Sequence, residues 1–290
     1  MAAVAVNCKG LKKLYCDSCE FGAKGMNAVL DHSSSLQELY VVNLGGLTED
    51  SSVIGPGVAA YSLKKICIKG IHNGQCFGPL IIGSKNLKTL EISLCYGDWD
   101  QILEAMAEER VTGLVEVHLK TIRFTDVALA ALSNCSNLKI LHLINIYYCK
   151  NVKLIGQLYI NGGKIGDEGL TAIAKRCPNL EELVLSGVNP TCLSLGVVAT
   201  NCQNLERLAL CRSNTIGDAE ISCIAAAQCI GLKHLVIMDC PGVTHHGMEA
   251  LLTTGCPNLV KVNVWNCKRV TDEVWPFWSD FTANSKSYFD

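Results

Sequence analysis

The chain carries few aromatic residues, no excess charge of either sign and no long uninterrupted apolar run. Aromatics are 6% of the residues while hydrophobic residues are 49%, so the interior is expected to be aliphatic. The 25 Lys and Arg stand against 27 Asp and Glu, a formal net charge of −2. That balance offers no field to hold a phosphate backbone, and nucleic acid is excluded as an expected partner. No apolar stretch approaches the roughly 18 residues of a membrane helix. Residues 1–7 have neither the basic start nor the length of a secretory signal. A membrane is therefore not an expected partner. Motifs of common active sites are missing as well. No Gly-Lys-Ser/Thr follows Gly162, Gly163 and Gly166, and there is no Gly-x-Ser-x-Gly and no His-Glu-x-x-His. The chain is expected to be no enzyme and to need no cofactor.

Cysteine, by contrast, is abundant, with 17 in 290 residues. Secreted disulfide scaffolds are usually small, and this chain is long enough to bury a sizeable core without cross-links. The cysteines are expected to be reduced and buried, behaving as small hydrophobes in a protein of the cytoplasm or nucleus.

Their placement follows a repeat. The pattern Leu-x-x-Leu-x-Leu, with Ile, Val or Cys allowed at the apolar places, begins at Leu11, Leu36, Leu63, Leu87, Leu114, Leu138, Ile155, Leu180, Leu205, Leu232 and Leu259. Nine of the ten successive spacings are 24 to 27 residues and the other is 17; the former lie in the leucine-rich-repeat range. Within each unit, apolar residues two apart point one side of a short strand inward. The return segment has helical spacing, as at Leu170, Ile173 and Ala174. One unit cannot bury its own apolar face, so neighbours must stack. The expected fold is an α/β leucine-rich-repeat solenoid, a horseshoe with eleven parallel strands on the concave side and helices on the convex side. Residues 1–272 are assigned to the repeats, the first of them incomplete, and 273–290 to an aromatic cap or tail.

Cysteine stands three residues before the first Leu at Cys8, Cys135, Cys177, Cys202, Cys229 and Cys256, and eight residues after it at Cys19, Cys95, Cys240 and Cys267. Strand and helix are joined by short loops such as Ile165-Gly166-Asp167 and Val243-Thr244-His245. The Asp or Thr there can cap the helix that follows. This combination resembles the cysteine-containing leucine-rich repeats of F-box proteins, particularly a plant F-box/leucine-rich-repeat group, most closely from Gly166 to Asp272. The resemblance implies that the repeats hold a protein substrate for an SCF-type ubiquitin ligase, directing it to proteasomal degradation. It also implies an N-terminal F-box that binds the Skp adaptor and through it the cullin. A cytosolic scaffold or inhibitor that binds protein without ubiquitin is the other reading of the same repeats.

Two features depart from the family pattern. No F-box precedes the repeats, because Val4-Ala5-Val6-Asn7-Cys8 aligns with Ile173-Ala174-Lys175-Arg176-Cys177, the second half of a convex helix. The chain is thus expected to be truncated, and to bind the Skp adaptor only where an upstream F-box exists. The 17-residue spacing from Leu138 to Ile155 leaves no room for a helix, which predicts a gap or kink in the outer layer.

Other motifs have plainer readings. Cys16 and Cys19 make a C-x-x-C, but both occupy repeat places and no second pair stands at zinc-finger spacing. His245-His246 lies in a helix-start loop without a carboxylate partner, so a surface pair is expected and no metal. Trp275, Pro276, Phe277 and Trp278, with Phe281 and Tyr288, are expected to cover the open end of the last repeat. The binding surface is expected on the strand residues that alternate with the inward ones. Exposed strand positions are normally polar, yet Val184, Val236, Met238 and Trp265 fall there within four consecutive repeats. With Arg207, Arg212 and Lys261 around them, they are expected to form an apolar centre with a basic rim, the composition of a protein interface.

Overall fold

The computed structural model describes residues 7–47, 53–144, 165–227, 229–254 and 256–271. Among these, ten strands form one parallel sheet in strict chain order. They are β1 (Lys13–Asp17), β2 (Glu38–Val42), β3 (Lys65–Lys69), β4 (Thr89–Ser93), β5 (Glu116–Lys120), β6 (Ile140–Ile144), β7 (Glu182–Ser186), β8 (Arg207–Cys211), β9 (His234–Met238) and β10 (Lys261–Trp265). Each starts two residues after the first Leu of its repeat, where the apolar alternation begins. The return segments carry α1 (Gly22–Leu30), α2 (Gly78–Gly83), α3 (Asp100–Glu108), α4 (Asp126–Leu132), α5 (Asp167–Arg176), α6 (Cys192–Asn201), α7 (Asp218–Ala226) and α8 (His245–Thr254). A 3-10 turn at Val58–Tyr61 takes the helix's place between β2 and β3.

The core lies between sheet and helices as stacked ladders. Leu183, Leu208 and Leu235 stand in register, as do Leu185, Leu210 and Ile237, and all six are at most 2% exposed. Each such burial contributes roughly 1.5–3 kcal/mol. Ile173 and Ala174 of α5 close the ladders from the other side.

The expected eleventh strand does not stand in this sheet. β6 pairs directly with β7, Ile140 opposite Glu182 through Ile144 opposite Ser186, and with β5 on its other edge. A strand has two hydrogen-bonding edges, so none beginning at Ile155 fits between. Ile155, Leu158, Tyr159 and Ile160 lie outside the described residues. The repeats of β6 and β7 are thus neighbours in the sheet although their cysteines Cys135 and Cys177 are 42 residues apart, against 25 for Cys177 and Cys202. The predicted gap in the outer layer is corrected for the same reason. α4 packs against α5, and Asp126 Oδ1 accepts the Gly166 N–H at 2.8 Å.

Strand exits share one backbone device. The residue seven places after the first Leu is left-handed at Ser18, Asn43, Gly70, Leu94, Thr121, Gly187, Arg212, Asp239 and Asn266. That turn aims its N–H at the next strand, as from Gly187 to the Cys211 carbonyl at 2.9 Å and from Asp239 to the Trp265 carbonyl at 2.9 Å. A left-handed conformation costs a residue with a side chain about 1–2 kcal/mol, most for β-branched ones. Gly187→Val is expected to lower the unfolding free energy by about that amount, which urea titration reads directly.

The cysteine places explain themselves as donors. Cys177 Sγ lies 3.5 Å from the Cys135 carbonyl and 3.7 Å from that of Ser133, at the end of the preceding helix. Cys240 Sγ reaches the carbonyls of Met238 and Leu210 at 3.4 and 3.5 Å. Burial pushes Cys177 and Cys202 up to about 12, and Cys135 and Cys240 up to about 11. They stay protonated and can donate to carbonyls that the end of a helix or strand would otherwise leave bare. Cys8 departs from the expectation of burial: it is exposed, with no described repeat before it.

The helix-start loops meet the expectation of capping at Thr, as where Thr244 accepts the His246 N–H at 3.2 Å, and depart from it at Asp. Thr125 and Thr191 cap their own helices, accepting from the N–H groups of Val127 and Leu193 at 3.2 Å. Asp instead bridges repeats. Asp218, first residue of α7, accepts the Thr244 N–H at 2.7 Å and its hydroxyl at 2.6 Å. Asp167 does the same for Thr191, at 2.9 and 2.6 Å, and Asp100 for Thr125, at 2.8 and 2.6 Å. Burial acts to raise the Asp167 and Asp218 pKa, but hydrogen bonds outweigh it and hold both below the usual aspartate range, those of the Ser194 hydroxyl and Thr191 at Asp167 and that of Thr244 at Asp218. A depressed carboxylate adds stability that is present above the unfolded pKa, about 4, and is lost as pH falls through the lower folded value. Melting temperature should therefore fall steeply below about pH 4. Asp218→Asn should melt lower at pH 7 and lose less than the wild type on acidification.

Candidate functional site

The outward side of the sheet is read in two rows set by the parallel register. One runs Tyr15, Tyr40, Cys67, Glu91, His118, His142, Val184, Ala209, Val236, Asn263. The other ends Lys120, Ile144, Ser186, Cys211, Met238, Trp265. Alternation along five-residue strands places both rows opposite the core.

Toward β10 the two rows form an apolar patch. Ile144, Val184, Ala209 and Cys211 make a hydrophobic cluster separate from the main core, with Val236 and Met238 packed against it. Three expected residues, Val184, Val236 and Met238, are thus brought together, and Trp265 opposite Met238 extends the row at 50% exposure. Val184 corrects the expectation of exposure. It is only 7% exposed, because His142 and Ala209 flank it in its row and other members of the cluster stand in the row beside it. The open apolar surface shifts accordingly to the half-buried Val236 and Met238 and to Trp265.

The basic rim is also corrected, since its arginines are paired. Arg207 Nη1 lies 3.3 Å from Glu182 Oε1, and Arg212 Nε lies 3.6 Å from Asp239 Oδ2. His142 Nε2 shares Glu182 Oε1 at 2.9 Å. The His142 hydrogen bond, set against burial and joined by Arg207, holds Glu182 below the usual carboxylate range. The result is a neutralised polar margin instead of a cationic one. Lys261 sits half-buried at the start of β10.

Farther toward the N-terminal end the face is polar and aromatic. His118 meets His142 edge to face with ring centroids 4.4 Å apart. Burial, then the neighbouring His142, push His118 down to about 4, so it is neutral at pH 7. Lys120 Nζ pairs with Glu91 at 3.0 Å. Lys13 and Lys65 stand over the Tyr40 ring at 4.7 and 5.4 Å, and Tyr15 lies beside it.

Ile144, Ala209 and Cys211 belong to the patch and are missing from the expected set. They occupy the same outward places as Val184 and Met238, so a tally of every apolar residue there finds them. Glu182 and Asp239, which quench the arginines, are visible only once strands are paired. Ser186 lies fully buried among the apolar side chains, its Oγ without a hydrogen-bond partner among the described residues.

Chemically this is a docking surface: aliphatic area, one exposed indole and paired charges. Among the described residues no three His, Cys, Asp or Glu side chains gather to hold a metal ion, and no helix is long and apolar enough to cross a membrane. His245 and His246 lie ring to ring at 3.9 Å at the start of α8. The aromatic tail, Trp275 to Tyr288, lies outside the described residues.

No protein-family model matches the chain. Its fold matches solved structures. One is a chain of the yeast Rad7–Elc1 complex, at 16% identity and a TM-score of 0.59, covering 94% of this chain and 74% of that one. Another is an internalin of Listeria monocytogenes, at 13% identity and a TM-score of 0.59, covering 99% and 71%. The likeness is one of fold, and with the ten-stranded parallel sheet it defines a leucine-rich-repeat solenoid.

Proposed function

We propose that the chain is a protein-binding receptor whose partner docks on the outward face of β7 to β10, with Trp265, Met238 and Val236 as anchors and Val184, Arg207, Arg212 and Lys261 around them. The single observation that carries this reading is the second hydrophobic cluster on the side of the sheet opposite the core. Apolar side chains there lie outside the main core, and they run into a half-exposed Trp, a residue type favoured as an interface anchor. Among the described residues, no nucleophile, base and oxyanion donors converge there as an enzyme's would.

The more specific reading makes the docked partner the substrate of an SCF-type ubiquitin ligase, in the cytoplasm or nucleus. Two observations support it: the cysteine pattern of the repeats, and the fold shared with a chain solved as a complex of Rad7 and Elc1. The Skp adaptor and cullin would join through an F-box upstream of the repeats. The repeats would comprise residues 1–272, with 273–290 as a terminal cap. A scaffold or inhibitor acting by protein binding alone is the second reading, and the same apolar patch supports it.

Proximity labelling in cells with wild type and Trp265→Ala tests this. A partner labelled by the wild type and lost in the variant is expected, with its ubiquitinated form accumulating under proteasome inhibition. A partner lost in the variant but never ubiquitinated would select the scaffold reading. Identical labelling by both proteins would remove the site.

A further inference from the structure

Two half-buried thiols meet on the helical side of the molecule, outside both cysteine places of the repeat. Cys192 opens α6, and Cys223 lies within α7, the helix packed beside it. Cys192 Sγ is 3.4 Å from Glu220 Oε1. Glu220 and Cys223 are three apart on α7 and share one face, so Cys192 lies against the face of α7 that carries Cys223. Cys223 is also the strongest single influence on the Cys192 thiol, as two neighbouring side chains would be. At the repeat places, by contrast, Cys135, Cys177, Cys202 and Cys240 are buried and engaged with carbonyls.

We propose that Cys192 and Cys223 form a redox site, closing into a reversible disulfide between α6 and α7 when met by a low-molecular-weight disulfide such as glutathione disulfide. The exchange balances. Cys223 attacks one sulfur of glutathione disulfide as its thiolate, giving a mixed disulfide and releasing one glutathione thiolate. Cys192 then attacks the Cys223 sulfur, forming the Cys192–Cys223 bond and expelling the second glutathione. The two cysteines lose two hydrogens, and two glutathione molecules carry them away.

The order of attack follows from the surroundings. The neighbouring Cys223, then burial, then Glu220 push the Cys192 thiol up to about 12, so it waits as the protonated member. The glutathione thiolate expelled in the second step takes up that proton. The cross-link would tie together the helices behind β7 and β8, the strands that carry Val184, Ala209 and Cys211. It goes beyond the docking reading and does not depend on it.

The test uses the full chain, reduced, exposed to glutathione disulfide under native conditions, alkylated and digested without reductant. Peptides holding Cys192 and Cys223 are expected as a cross-linked pair, with no glutathione retained at either site. The oxidised chain should also melt at a higher temperature than the reduced one. Cys192→Ser should keep one glutathione on Cys223, Cys223→Ser should take up far less on Cys192, and neither should show such a rise. Recovery of both wild-type cysteines alkylated, or each carrying glutathione, would overturn the proposal. So would cross-links confined to other cysteines. The wild-type peptide map decides the question even if a serine variant folds poorly.

Discussion

Leu235→Ala is expected to cost about 2–5 kcal/mol of unfolding free energy. The side chain is fully buried, on the inward side of β9, in register with Leu208 on one side and Val262 on the other. Truncation leaves a void that stacked strands cannot close, because each strand is held on both edges by its neighbours' hydrogen bonds. In a solenoid, stability is a sum of each repeat's own term and the contacts with its two neighbours. The loss should therefore be regional. Hydrogen exchange should accelerate first in β8 to β10 and in α7 and α8, while β2 to β5 keep wild-type protection. Urea unfolding measured alongside gives the total. Uniform acceleration across all ten strands would show that the sheet unfolds as one cooperative unit, against the nearest-neighbour account.

What was legible in the sequence is what depends on local period. Leu183 and Leu185, or Leu235 and Ile237, announce an inward strand face by their spacing alone, and every described strand lies where that spacing places it. The Ile155 pattern shows the limit. Leu158 and Ile160 repeat the same spacing, yet β6 is paired on both edges without them, and which strands are neighbours is a long-range fact. Burial on the outward face is long-range in the same sense. Val184 is covered by residues from other strands, so its own position in the repeat cannot report it. The arginines follow suit: the carboxylate facing Arg207 is Glu182, one repeat earlier, and that facing Arg212 is Asp239, one repeat later. The Asp218–Thr244 bridge likewise spans 26 residues, and a loop sequence with both Asp and Thr available reads as ordinary capping until the next repeat is in place.

On the outward face, Trp265→Ala and Met238→Ala are expected to separate binding from folding. Trp265 is half exposed and Met238 half-buried, and neither belongs to the core ladders. Removing an exposed side chain such as Trp265 should change stability by no more than about 0.5 kcal/mol. A central aromatic anchor is worth about 2 kcal/mol or more in binding, roughly thirtyfold in affinity. The partner lost from the Trp265→Ala labelling should bind that variant at least that much more weakly in titration, at an unchanged melting temperature. Met238→Ala should follow in the same direction. Leu193→Ala, on the exposed start of α6, should bind as the wild type does. Ionic strength adds an independent readout. Because Arg207 and Arg212 already face Glu182 and Asp239, the margin presents little net charge, and affinity should vary weakly with salt. Steep salt dependence together with normal binding by Trp265→Ala would move the contact from the apolar row to the charged residues nearer β4 to β6.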